Sequence, residues 1–199
     1  MTTPTPSTSS IVTTQDDVNR RRDFLKKGGA LGLATIALGF MDVKPGWAQT
    51  RSASEAGDAH ILNVALALEH EAIAAYGVGA KTGLLKGGVL KLALQFRGQH
   101  EAHAEALEGA IRSMGAYAVR AKPAKEYAFP VNKLHNPADV LRFAAGLEKA
   151  AAMAYLGTVP SFHNRGLSKT AASIMGDETM HWAVLRNALG ENPVPIGFI

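Results

Sequence analysis

The sequence contains no cysteine, and this absence removes several classes of site at once. It excludes disulfide frameworks, thiolate metal sites, iron–sulfur clusters and cysteine nucleophiles. Charged residues make up only 19% of the 199 residues, whereas apolar residues make up 47%, so the chain can bury a core and is not disordered throughout. This length predicts one domain, with or without a tail.

A strong excess of positive charge is also missing. The formal net charge is +4, and residues 1–48 hold six Lys and Arg residues against four Asp and Glu residues, so the remainder is close to neutral. A nucleic-acid groove requires basic residues clustered on one face, which this distribution does not provide. We therefore expect no nucleic-acid partner.

The N-terminal region lacks an apolar run long enough to span a bilayer. The uncharged segment from Gly28 to Met41 has fourteen residues, fewer than the ~20 that a spanning helix needs. It follows the basic segment 20–27, which reads RRRDFLKK, and precedes Gly46-Trp47-Ala48, which has small residues at the −3 and −1 positions of a cleavage site. This arrangement resembles a twin-arginine export signal. The alternative is a basic amphipathic anchor that stays attached.

The resemblance implies a signal peptide over residues 1–48, a linker over 49–57 and a mature domain over 58–199. It also implies the twin-arginine export machinery as a partner, a periplasmic location and no stable membrane span after cleavage. Because that machinery carries folded proteins, often with a cofactor already inserted, a metal or other cofactor is expected.

The mature region is rich in Ala and Leu and poor in β-branched residues, which favours helices. Apolar positions at helical spacing predict four of them, with Asn136 and Ser168 as N-caps of the third and fourth, over residues 58–80, 87–115, 137–158 and 168–189. The first two and the last two helices are joined by short loops, whereas about twenty residues separate the second from the third. This pattern predicts an all-α bundle of two antiparallel hairpins with a long crossover. Matched Glu and His positions, 79 and 78 residues apart, indicate that the hairpins are related repeats.

Ionisable residues interrupt the apolar stripe of every helix near its middle. They are Glu69 on the first helix, His100 and His103 on the second, Glu148 on the third, and Glu178 and His181 on the fourth. A buried carboxylate must be paired, protonated or bound to metal. No Lys or Arg lies on these inner stripes, so we predict a pair of divalent metal ions. A metal-free network of buried ion pairs is the alternative.

The ordered set of motifs resembles the ferritin-like superfamily, and specifically exported bacterial ferritin-like domain proteins, over about residues 58–195. The motifs are Leu68-Glu69 with Tyr76, His103-Ala104-Glu105-Ala106-Leu107, Leu147-Glu148 with Tyr155, Glu178-x-x-His181, and the segment Gly190-Glu191-Asn192-Pro193-Val194-Pro195-Ile196-Gly197-Phe198. The resemblance implies that Glu69 and His103 bind one metal ion, that Glu148 and His181 bind another, and that Glu178 bridges them.

His100 departs from this pattern, because the family has a second bridging glutamate at its position. The resulting set of three carboxylates and three imidazoles suits one metal ion as well as two, and it suits Fe or Mn, with Zn as an alternative. Glu101 is predicted to point away unless a π-bulge rotates it inward, and Glu71 to face outward. Tyr76 and Tyr155 are predicted to pack in the core with their hydroxyls on polar neighbours.

Two function classes remain open at this stage. One is a di-metal oxidoreductase, a ferroxidase or a peroxidase-like or catalase-like enzyme, that uses O₂, peroxide or Fe(II). The other is a non-catalytic ferritin-like binding or stress protein with a degenerate or mononuclear site, which the His100 departure favours. An iron-storage cage is disfavoured, although assembly into a homo-oligomer stays open.

Overall fold

The computed structural model describes residues 53–199, and within this part of the chain there are helices and no strands. Helix α1 spans Ala53–Lys81, α2 spans Gly87–Ser113, α3 spans Pro137–Thr158 and α4 spans Arg165–Ala188. Three short 3-10 segments lie at Ala124–Glu126, Val131–Lys133 and Val159–Ser161. The prediction of an all-α four-helix fold is confirmed. The predicted signal peptide, residues 1–48, lies outside the described residues, as do the first four residues of the predicted linker.

Two predicted helix starts differ from the observed ones. Helix α1 begins at Ala53, so residues 53–57 are helical although the sequence assigned them to a linker. Helix α4 begins at Arg165 rather than at residue 168, because Asn164 is its N-cap and accepts a hydrogen bond from the Gly166 N–H at 2.8 Å. Ser168 lies inside the helix and donates its hydroxyl to the Val159 carbonyl at 3.0 Å. Asn164 therefore caps the helix in place of Ser168, the predicted N-cap.

The start of α3 is where the sequence predicts it. The Asn136 side chain accepts a hydrogen bond from the Asp139 N–H at 3.0 Å, and Pro137 occupies the first helical position, where its missing N–H costs nothing. The predicted range 137–158 equals the observed helix. Helix α2 ends at Ser113, two residues before its predicted end.

The helices pack most extensively as two hairpins, α1 with α2 and α3 with α4. The α1–α2 turn contains Gly83 and Gly87, whose φ angles of 72° and 53° lie in the left-handed region that only glycine adopts without strain. The α3–α4 connection, residues 159–164, contains one 3-10 segment at Val159–Ser161. Short connections thus produce antiparallel neighbours, as the loop lengths predict.

The crossover between the hairpins lies against α1. The Asn63 side chain donates to the Tyr117 carbonyl at 3.1 Å and accepts from the Val119 N–H at 2.7 Å. A ring nitrogen of His70 lies 3.3 Å from the Val119 carbonyl, and the His70 side chain is only 11% exposed. The crossover therefore covers His70.

Asp58 connects the first helix to the second hairpin. Its carboxylate is buried and accepts hydrogen bonds from the N–H groups of His163 and Asn164, both at 2.9 Å. Hydrogen bonds to a charged acceptor contribute more to stability than neutral ones. The sequence assigned Asp58 no role beyond the start of a helix, since its partners come from a loop more than one hundred residues away.

Two apolar clusters fill the interior, and the ionisable residues lie between them along every helix. One cluster includes Leu62, Leu66, Leu107 and Ile111. The other includes Phe96, Val140, Leu141, Trp182 and Leu185. A polar layer at mid-height is therefore enclosed by apolar packing on both sides.

Helix α1 is, within residues 53–199, the one helix long and apolar enough to cross a membrane by length and composition. Buried core helices of globular proteins pass the same criterion. Here α1 contributes Leu62, Leu66 and the buried carboxylate of Glu69 to the interior of the bundle.

Candidate metal centre

All six residues that the sequence singled out meet in the polar layer. Each is at least 90% buried, with side chains from all four helices, namely Glu69, His100, His103, Glu148, Glu178 and His181. Helical spacing explains this, since residues three or four positions apart share one face. The geometric prediction is therefore met, whereas the role of these residues as metal ligands stays a prediction.

The six residues form two overlapping groups, each compact enough to hold a metal ion. The first half-site is formed by Glu69, His100, His103 and Glu178, and the second half-site by His100, Glu148, Glu178 and His181. Within each group the potential ligand atoms lie within 4.8 Å of one another. His100 and Glu178 belong to both half-sites.

The contacts around His100 show why it is shared. Its Nδ1 lies 2.8 Å from Glu69 Oε2, and its Nε2 lies 3.3 Å from Glu148 Oε1. The same Nδ1 is 3.5 Å from Glu178 Oε1. One ring nitrogen thus faces each half-site.

Three buried atoms in this layer make no hydrogen bond with the described residues. They are His103 Nδ1 and both carboxylate oxygens of Glu178, whose side chain is fully buried. An unsatisfied buried polar atom costs about 1–3 kcal/mol, and more when the group is charged. A cation between these atoms would remove that cost. The carboxylate and imidazole donors therefore fit a divalent metal ion.

The two tyrosines bind the carboxylates of the opposite hairpin. Tyr155 on α3 donates its hydroxyl to Glu69 Oε1 at 2.6 Å, and Tyr76 on α1 donates its hydroxyl to Glu148 Oε1. The prediction that each ring packs in the core with its hydroxyl on a polar neighbour is met. Burial and these carboxylates raise the pKa of both tyrosines well above the usual value, so both remain hydrogen-bond donors at neutral pH.

Electrostatics divide the layer into protonated and ionised groups. Burial lowers the pKa of His100 and of His103, but contacts with the surrounding carboxylates outweigh it and raise both to about 10. Burial raises the pKa of Glu178 to about 8, against the effect of His103 and with support from Glu148. Burial also acts to raise the pKa of Glu69 and Glu148, yet hydrogen bonds with histidines hold both below the usual range. Without metal at neutral pH, two imidazolium groups therefore balance two carboxylates, and Glu178 is neutral.

Two polar residues that the sequence analysis missed contact the outer nitrogens of the histidines. His103 Nε2 lies 3.1 Å from Asp177 Oδ2, and His181 Nε2 lies 2.9 Å from Gln99 Oε1. An acceptor on one ring nitrogen directs the other towards a metal, which is a common feature of histidine ligands. The sequence offered one indication of both residues, since Asp177 directly precedes Glu178 and Gln99 directly precedes His100.

Two further carboxylates near these motifs, Glu101 and Glu71, lie outside both half-sites. Glu101 is half exposed and pairs with Arg97 at 2.9 Å on a regular helix, so no π-bulge brings it inward. Glu71 was predicted to face outward, yet it is partly buried, and burial raises the pKa of its carboxyl. It is not a member of either half-site.

Comparison with known proteins places this geometry in a family. The ferritin-like domain model matches residues 57–191, which is more than half of the chain. A conserved hypothetical protein from Mycobacterium tuberculosis has a similar structure, with a TM-score of 0.63 and 23% identity over 74% of this chain and 100% of that one, which shows a shared fold. None of the curated proteins compared with the sequence matches it. The chain belongs to the ferritin-like domain family.

Proposed function

We propose that this protein binds divalent iron or manganese in the Glu/His layer, with zinc as the redox-inert alternative. The observation that carries the proposal is the set of three buried atoms on His103 and Glu178 that make no hydrogen bond. A network without metal would leave these atoms unsatisfied in the apolar interior, whereas a cation satisfies them together.

When bound, iron or manganese would supply redox chemistry in which O₂ or peroxide accepts electrons, with Fe(II) presented as substrate as one possible donor. The chain's own residues provide the environment for it. The apolar clusters on either side exclude water from the layer, and the hydroxyls of Tyr76 and Tyr155 hold the carboxylates of Glu148 and Glu69 in fixed orientations. Rigid ligands of this kind stabilise one coordination geometry.

A non-catalytic binding or stress protein is the second candidate, and the position of His100 favours it. This side chain contacts Glu69 and Glu148 with its two ring nitrogens, where the resemblance implies a bridging carboxylate. A site with one carboxylate fewer carries less negative charge and holds a second cation less well. Oxygen or peroxide consumption by the Fe(II)-loaded protein separates the candidates, because a non-catalytic protein consumes neither beyond one turnover.

Metal uptake tests the proposal directly. We expect Glu178→Ala to abolish tight uptake of Fe(II), Mn(II) and Zn(II), since it removes the carboxylate shared by both half-sites. Glu71→Ala is the matched control, because Glu71 is also a partly buried helical carboxylate but lies outside both half-sites. Elemental analysis after loading and dialysis, with thermal unfolding in parallel, measures the outcome. Equal uptake by the two variants, or none by the wild type, would contradict the proposal.

We also propose export by the twin-arginine pathway to the periplasm, supported by the paired arginines, the weakly apolar run and the Gly46-Trp47-Ala48 segment. The double variant Arg21→Lys/Arg22→Lys is expected to stay in the cytoplasm as the full-length chain, whereas the wild type appears in the periplasmic fraction and begins at Gln49. Cell fractionation with N-terminal sequencing measures both. A wild-type chain retained in the cytoplasm would contradict this proposal.

A further inference from the structure

The two half-sites are built from equivalent positions of two hairpins, yet they differ in which atoms already have partners. Two of the three atoms without a hydrogen bond, His103 Nδ1 and Glu178 Oε1, lie 3.2 Å apart in the first half-site. They do not meet in hydrogen-bonding geometry. The third atom, Glu178 Oε2, lies 3.9 Å from His181 Nδ1 on the side of the second half-site. Two of the three atoms without a hydrogen bond therefore belong to the first half-site.

The second half-site is largely satisfied by hydrogen bonds within the protein. The Glu148 carboxylate contacts the Tyr76 hydroxyl, His100 Nε2 at 3.3 Å and His181 Nδ1 at 3.3 Å. Its counterpart in the first half-site, Glu69, has two such partners, the Tyr155 hydroxyl at 2.6 Å and His100 Nδ1 at 2.8 Å. A cation in the second half-site would therefore compete with one more contact than a cation in the first.

His103 and His181 also differ in the partner of the outer ring nitrogen. Asp177, a carboxylate, faces the outer nitrogen of His103, whereas Gln99, a neutral amide, faces the outer nitrogen of His181. A carboxylate partner makes an imidazole a stronger metal ligand than an amide partner does. His103 thus has an inner nitrogen without a hydrogen bond and a carboxylate at its outer nitrogen. The inner nitrogen of His181 contacts Glu148, and its outer nitrogen faces an amide.

The single ring of His100 permits only one half-site to use it. A neutral imidazole has one N–H donor and one lone pair. We assign the tautomer in which Nε2–H donates to Glu148, which leaves the lone pair of Nδ1 facing Glu69 and Glu178 in the first half-site. A bridging glutamate at this position could serve both half-sites, but an imidazole in this orientation serves the first alone.

We propose, building on the metal-binding function above, that the protein holds one divalent cation in the first half-site, bound by Glu69, His100, His103 and Glu178. In this arrangement Glu148, Tyr76 and His181 are positioning residues that orient His100. Two carboxylates and two imidazoles around a divalent cation give a neutral centre, which suits a buried site. Asp177 supports the ligand His103 from outside.

Equivalent variants of the two hairpins distinguish one ion from two. Glu69→Gln is expected to weaken Mn(II) affinity by more than about 100-fold, whereas Glu148→Gln is expected to retain one ion with affinity within about tenfold of the wild type. The full chain is loaded with Mn(II) and dialysed, and the bound metal is counted by mass spectrometry. Electron paramagnetic resonance gives a readout that a merely structural role would not move, because isolated Mn(II) and a coupled pair have different spectra.

A second pair protects the test against a folding defect in either glutamine variant. His103→Gln is expected to lose the ion and His181→Gln to retain it. Two ions in the wild type with a coupled spectrum, or equal losses within either pair, would overturn the one-ion assignment while leaving metal binding intact. A wild type that takes up no metal would instead overturn the proposed function itself, so the two failures are distinguishable.

Discussion

The Glu178→Leu variant is expected to unfold at a higher temperature than the wild type when both are metal-free, and to gain no stability from added metal. In the metal-free protein the pKa of Glu178 is raised to about 8, so at pH 7 its carboxyl is mostly neutral, and neither oxygen makes a hydrogen bond. Leucine has a similar volume and a high helix propensity, and it removes two unsatisfied atoms from the interior. We expect a gain of about 1–3 kcal/mol in the free energy of unfolding.

Calorimetry in the presence of a chelator and of excess Mn(II) measures both parts of this expectation. The wild type should be stabilised by metal in proportion to the logarithm of metal concentration over Kd, about 2.7 kcal/mol at one hundred times Kd. The variant should show no such increment. Glu178 would then lower the stability of the metal-free protein while being needed for metal binding. Such a trade-off is common at buried polar sites.

Glu148→Leu is the matched control, because it removes another fully buried carboxylate of the same layer, from α3 of the same hairpin. Its pKa is held below the usual range by hydrogen bonds with His100 and His181 that outweigh burial, so it is ionised at pH 7. Removing it leaves the His100 imidazolium without one of its two counter-charges, and breaking such a buried pair costs about 3–5 kcal/mol. Similar losses of stability in both variants would contradict the absence of hydrogen bonds at the Glu178 carboxyl.

The fold and the main members of the candidate site were accessible from the sequence for a physical reason. A charged residue on an apolar helical stripe is costly, so Glu69, Glu148 and Glu178 stood out against their Ala, Leu and Ile neighbours. Loop lengths determined which helices are antiparallel neighbours. Both signals are local. The first is the spacing of residues within one helix, and the second is the length of one connection.

What the sequence did not predict depends on contacts between distant segments. Each tyrosine was placed on the same face as the glutamate of its own helix, and only the packing of the hairpins shows that Tyr76 contacts Glu148 and Tyr155 contacts Glu69. His70 lies under the crossover, whose course no periodicity describes. Asp58 likewise depends on a loop that approaches it only after the bundle has formed.

Metal affinity is expected to rise steeply with pH between about 6 and 8. The pKa values of His100 and His103 are raised to about 10, and that of Glu178 to about 8, so all three groups carry protons at pH 6 in the metal-free protein. Ligand nitrogens and carboxylates bind metal only after losing these protons, so metal binding releases them. Protons therefore compete with the cation for these ligand atoms, so lowering the pH weakens metal binding.

The size of the effect follows from the number of protons released. Three protons per ion correspond to an affinity that rises by up to about 10³-fold per pH unit below pH 7, and the slope falls above pH 8, where Glu178 is already ionised. Competition of Zn(II) with a chelator at several pH values measures the slope, and calorimetry in buffers of different ionisation enthalpy counts the protons. His100→Gln is expected to release about one proton fewer, whereas His135→Gln, which alters an exposed histidine of the crossover, should leave the count unchanged. A slope below about tenfold per unit would contradict the release of three protons on metal binding in this layer.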